Sequence, residues 1–136
     1  MHLEITAKPL DQVLAYQHDR LLERYAADHN ASQEEAAQCF HAAKQFLYLC
    51  AVTPGYKVTS APIDEMWHTF LLFTRDYDAF CREQLGQFIH HEPFEVPRPD
   101  VYLTTRARAE ELFGKLDEKL WSLEAKTSCS SGCNGP

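Results

Sequence analysis

Basic residues are scarce in this 136-residue chain: thirteen lysines and arginines stand against twenty aspartates and glutamates, a formal charge of −7. Phosphate recognition needs clustered cations, and the densest group here, Arg98, Arg106 and Arg108, is followed by acidic residues. A nucleic-acid-binding surface is therefore not expected. Long apolar runs are missing too. Nothing approaches the roughly 18 consecutive apolar residues of a membrane span, and the first residues lack an apolar stretch of signal-peptide length. The expectation is a cytoplasmic protein with no membrane contact. Internal repeats, zinc-finger spacing and an H-E-x-x-H motif are all absent. The five cysteines are an odd number, and Cys39, Cys50 and Cys81 fall within helical patterns. Buried thiols plus a separate tail motif are expected rather than a disulfide framework.

What the chain does have is a globular balance, 45% hydrophobic and 24% charged residues, in a length suited to one domain. Hydrophobic periodicity predicts an all-α fold, a compact bundle of about four helices. The first covers residues 10–27, with Leu10, Val13, Leu14, Leu21, Leu22 and Tyr25 on its stripe. Ser32 and Glu35 form an S-x-x-E capping box that opens a second helix reaching residue 51. Its core face is Ala36, Phe40, Ala43, Leu47 and Cys50. Pro54 and Gly55 end it, and Pro62 suits the first turn of a third helix that runs to Gly86. An irregular Pro-rich segment, residues 87–99, precedes a fourth helix over residues 104–123. Residues 1–126 read as one helical domain, and residues 127–136 as a flexible Cys/Gly/Ser tail.

Chemistry concentrates between Asp64 and His91, where the third helix and the turn after it carry an Asp, three of the seven histidines and a cysteine. Asp64 and His68 stand one turn apart on a helix face. His90 and His91 follow the Gly86 reversal, on a loop anchored by Phe88, Ile89, Pro93 and Phe94. Imidazole and carboxylate are zinc ligands. The candidate metal set is thus His68 with His90 or His91, and Asp64 as a further ligand or as the carboxylate that orients a histidine. Neighbours in an extended segment point opposite ways, so at most one of His90 and His91 is expected to face His68. The competing reading is a purely structural Asp64–His68 pair. Cys81 lies about 20 Å from His68 at about 1.5 Å rise per residue, too far for the same mononuclear site, and reads as a buried thiol. His18, His29 and His41 fall on polar or mixed helix faces and are expected in solvent; His2 is terminal. In the tail, Cys129 and Cys133 could close on a soft metal or on each other.

The runs I-D-E-M-W-H-T-F, F-T-R-D-Y-D-A-F-C and G-Q-F-I-H-H-E-P, over residues 62–93, resemble bacterial uncharacterised proteins related to the glycine-rich domain-containing group. The resemblance implies a signature of Asp64, Trp67, His68, Tyr77, Cys81 and His90 or His91. It names no reaction, and the long glycine-rich region of larger members is absent here. The leading expectation is a small helical protein that binds a divalent transition metal, zinc first, with no enzymatic activity assigned. The alternative is a metal-free interaction module for a protein partner, using the 93–102 loop with Phe94, Val96 and Tyr102 as apolar anchors.

Overall fold

The computed structural model describes residues 7–94, 96–123 and 131–135. Most of this is helix: α1 (Leu10–Leu14), α2 (Asp19–His29), α3 (Gln33–Val52), α4 (Ala61–Leu71), α5 (Thr74–Phe80) and α6 (Pro99–Phe113), with a π-helical turn at Cys81–Leu85. The all-α expectation needs correction, because the chain also builds a three-stranded antiparallel sheet. Its strands are β1 (Tyr56–Val58), β2 (Glu92–Pro93) and β3 (Ser131–Asn134), ordered β1-β3-β2.

Helix α3 is the axis of the fold, packed against α1, α2, α4 and α6. The capping box forms as its sequence requires: the Ser32 hydroxyl accepts from the Glu35 amide at 3.0 Å and the Glu35 carboxylate from the Ser32 amide at 2.9 Å. Ala36, Phe40, Ala43, Leu47 and Cys50 are all buried, so the predicted core face holds.

Three expected helices differ in extent. The first is broken at residues 15–18 although no glycine or proline marks the place. The His18 side chain caps α2 there, and the Lys44 ammonium takes the carbonyls of Leu14 and Tyr16 at 2.7 Å each. The third is split at Leu72 and Phe73 and then widens into the π turn, which ends at Gly86 with φ 77°, the left-handed cap its position suggests. The fourth starts earlier and stops earlier than its stripe implies. Pro99 sits at its first turn, where the missing N–H costs nothing, and Gly114 ends it. Beyond it, Leu116 and Trp121 are buried in irregular chain, with the Arg106 guanidinium donating to the Trp121 carbonyl at 2.7 Å.

The largest correction concerns the tail. Residues 127–130 lie outside the described residues, but 131–134 are no flexible appendage: they are the central strand. Tyr56, Lys57 and Val58 pair with Asn134, Cys133 and Gly132, and Glu92 and Pro93 pair with Gly132 and Ser131. A disulfide joins Cys133 to Cys50 of α3, correcting both the expectation of unpaired thiols and the suggested Cys129–Cys133 closure. Cys129 lies outside the described residues. The Lys57 ammonium, buried beneath the sheet, donates to the carbonyls of Thr53 and Gly135. A short segment with few apolar side chains is held here by backbone pairing and a covalent bond, and it is buried along most of its length.

No described helix is long and apolar enough to cross a membrane. The cytoplasmic expectation rested on the lack of signal-peptide and membrane-length apolar runs, and the disulfide leaves the compartment open. Of the three apolar anchors named for the interaction-module alternative, Tyr102 is buried against Val58, Phe94 is packed on the same small cluster, and Val96 stands exposed.

Candidate metal centre

Helix α4 positions two of the three groups at the candidate centre. Pro62 starts it, Ile63, Met66, Trp67 and Phe70 bury its inner face, and this sets Asp64 and His68 together along the edge next to the sheet. The third group arrives from the segment that returns after Gly86. That segment is fixed by a chain of hydrogen bonds from the core. The Trp67 indole donates to the Tyr77 hydroxyl at 3.0 Å, and the Tyr77 hydroxyl donates to the carbonyl of Ile89. Both aromatic side chains are fully enclosed. Ile89 itself is buried, so residues 89–91 are pinned against α4 from beneath. His91 then lies on the Trp67 ring, with centroids 4.4 Å apart, and faces His68 at the same centroid distance.

Asp64, His68 and His91 converge, one potential ligand atom from each lying within 4.8 Å of the others. The His91 Nε2 is 2.7 Å from the Asp64 Oδ1, and the His68 Nε2 is 3.6 Å from the same oxygen. Two zinc ligands at about 2.0–2.2 Å in tetrahedral array are separated by roughly 3.3 Å, so the spacings bracket what a bound ion needs. Exposure is graded across the group: the His91 and Asp64 side chains are 13% and 18% exposed and His68 is 54%. Two donors are thus set in the protein and the third borders solvent, an arrangement an ion can enter.

Burial by itself would raise the Asp64 pKa. Hydrogen bonds from His91 and Ser131, with the nearby charges of His68 and His91, outweigh it and hold the carboxyl below its ordinary range. An ionised carboxylate beside two imidazoles is the protonation state that a cation requires. The Ser131 hydroxyl, 2.8 Å from the Asp64 Oδ1, comes from the central strand β3.

Of the sequence candidates, the structure brings together Asp64, His68 and His91. His90 points away, exposed and packed edge-on against Phe88. Cys81 is a buried thiol between Tyr77 and the Ile89 amide, and burial pushes it up to about 11. Cys39 is likewise pushed up to about 11 by burial. Ser131 escaped sequence reasoning. Nothing in a Ser/Gly tail signals a partner 67 residues away, and only its neighbour Cys133 hinted that the tail could be tied down. His18 was misplaced as well. Its Nδ1 accepts from the Leu21 amide at 3.1 Å and its Nε2 lies 2.7 Å from the Asp76 Oδ2, with the side chain nearly buried.

The sequence pattern of the UCP032817-like family matches residues 11–108. The chain belongs to the UCP032817-like family. No curated protein and no solved structure matches it. The family match contains Asp64, His68, His91 and the Trp67–Tyr77 pair that supports them. It stops before β3, so Ser131 and Cys133 lie outside the part of the chain that aligns with the UCP032817-like pattern.

Proposed function

We propose that this protein binds one divalent transition metal, zinc in the first instance, through Asp64 Oδ1 and the Nε2 atoms of His68 and His91. The observation that carries this reading is the convergence of those three ligand atoms at the edge of a rigid aromatic floor. Three protein ligands would leave one tetrahedral position for water, as in zinc sites that polarise a bound solvent molecule. Two histidines and one carboxylate are equally the donor set of non-haem iron(II) centres, so iron is the runner-up metal. The His91 imidazole now faces Asp64 across a hydrogen bond. An ion held at the His91 Nε2 would take the place of that hydrogen bond, with the ring proton carried on Nδ1. The likeness of residues 62–93 to glycine-rich domain-containing proteins belongs to this reading as well, since its signature residues are the ones that line or support the centre.

The test is elemental analysis and zinc titration of tag-free protein. Near-stoichiometric zinc is expected, lost in His91→Ala and Asp64→Ala. Less than about 0.1 equivalent of any transition metal, after incubation with excess and removal of the free ion, would sink the proposal.

A further inference from the structure

We propose that the Cys50–Cys133 disulfide is a thiol-exchange site for a low-molecular-weight thiol, and that its reduction unlatches β3 from the Asp64–His68–His91 centre and weakens metal binding there. The second half rests on the metal reading above; the first does not.

A cavity of about 150 Å³ opens beside the disulfide, walled by both cysteines together with Phe88, Ile89, His90 and Asn134. At about 30 Å³ of liquid volume per water, this holds roughly five waters, room for the thiol-bearing end of a small molecule. Both cysteines wall the cavity, and we take Cys133, on the strand, as the one attacked. A thiolate RS⁻ entering the cavity forms a bond to the Cys133 sulfur. The Cys50–Cys133 bond breaks, and Cys50 departs as a thiolate that takes a proton from water. A second RS⁻ attacks the outer sulfur of the mixed disulfide, releasing RSSR and the Cys133 thiolate. Two electrons pass from two small thiols to the protein, and nothing else is consumed.

The structural consequence follows from strand order. β3 stands between β1 and β2, which do not pair with each other, and the disulfide anchors it to α3. Its Ser131 donates to the Asp64 Oδ1 at 2.8 Å. Its Gly132 is the pairing partner of Glu92, the residue after His91. One short strand therefore orients the carboxylate and seats the segment that carries the buried histidine. Ligand-orienting partners of this kind typically control metal affinity by 10–100-fold.

The full-length chain supplies the test. Reduction of the native protein by 2-mercaptoethanol should be first order in thiol across the whole accessible concentration range. A rate that levels off at the unfolding rate would overturn the exchange site, because the disulfide would then react only in the opened chain. Zinc affinity, read by competition with a chromophoric chelator, should fall about 10–100-fold in Cys50→Ala/Cys133→Ala, a form with no thiol there to take zinc. Ser131→Ala, its disulfide intact, should lose a smaller part of that affinity. Equal affinity in the oxidised protein and the double variant would overturn the latch. Imidazole ¹H–¹⁵N spectra of metal-free protein separate the two readings. If the oxidised chain binds no zinc but the His91 resonance moves in the double variant, the latch stands and the metal reading fails. An unmoved His91 resonance sinks the latch whatever zinc does. Should the double variant lose its helical circular dichroism, chemically reduced wild type carries the same spectral comparison.

Discussion

Two Asp–His pairs with the same 2.7 Å contact sit in different parts of this fold, and they differ in what their histidines have left to give. His18 spends both ring nitrogens. Nδ1 accepts the Leu21 amide at the start of α2, which fixes the proton on Nε2, where it is donated to Asp76. The ring is a helix cap with no lone pair available to an ion. At the other pair, three groups crowd one oxygen: His91, Ser131 and, farther off, His68 all address the Asp64 Oδ1. A second imidazole turns an ion pair into a donor set. The contact distance is therefore silent about role, and the neighbours of each ring decide it.

The sharpest way to break this comparison is to remove one member from each pair. His91→Ala and Asp64→Ala should lower zinc affinity by at least about 100-fold, because each deletes a ligand and not merely its support. His18→Ala should leave zinc affinity within about threefold. Competition titration decides it, and zinc loss in His18→Ala would erase the distinction between the two sites.

A second experiment loosens the Asp64–His68–His91 region alone. A Cβ at Gly132 would be driven into the backbone carbonyl of Lys57 and against the Val58 Cα, atoms that cannot swing aside. Gly132→Ala should therefore prise β3 from β1 and cost about 2–3 kcal/mol of stability by urea denaturation. Its effect should reach His91 through β2 and leave the capped start of α2 as it is. Hydrogen exchange reads both places at once: faster exchange around Glu92 and unchanged protection at Leu21 is the expected pattern.

The contrast also shows which features of the fold were legible in the sequence. Core faces follow from local periodicity, and the capping box from a four-residue pattern, so α3 and the inner face of α4 could be read directly. Asp64 and His68 were legible for the same reason, being one helical turn apart. The breaks at residues 15–18 and 72–73 were not. The first arises from long-range partners, Lys44 and Asp76, that a local pattern does not contain. The sheet was hidden because each strand is two to four residues long and β3 is nearly devoid of apolar side chains. Its existence depends on pairing and on the Cys50 bond, 83 residues away in sequence. Residue 91 rather than 90 follows from how Ile89 is pinned by Tyr77, a contact that no spacing rule supplies.

The structural pair should in turn reveal itself as a stability determinant. His18→Ala removes a side-chain cap and leaves the buried Leu21 amide without its acceptor, for a cost of about 1–2 kcal/mol in urea unfolding. Asp76→Ala should cost less, because its carboxylate is half exposed and water can replace it. A His18→Asn variant, which can still cap, should recover part of the loss. No recovery would mean that the ring's contacts with Phe70 and Phe73 matter more than its nitrogens.

The smallest effect belongs to the cation that holds the same corner together. Lys44 is buried and its ammonium serves the carbonyls of Leu14 and Tyr16 over the Phe40 ring. Burial lowers its pKa from 10.5 to about 8. Between those two values the unfolded chain holds a proton that the folded chain has released, so stability rises as pH climbs from about 8 to 10.5. The buried thiols Cys39 and Cys81 act oppositely. Each is raised from 9.0 to about 11, so the unfolded chain ionises first and stability falls across pH 9–11. Lys57, lowered to about 8 by burial, adds to the rising limb. These three contributions are common to wild type and Lys44→Met, and they cancel when the two proteins are compared at each pH. The remaining difference isolates Lys44. Wild type should gain on the order of 1 kcal/mol relative to Lys44→Met between pH 7.5 and pH 10, a figure kept modest because solvent still screens part of the ammonium. Urea unfolding of both proteins at the two pH values measures it, and a difference that shrinks with pH would show that the ammonium keeps its ordinary affinity for the proton inside the fold.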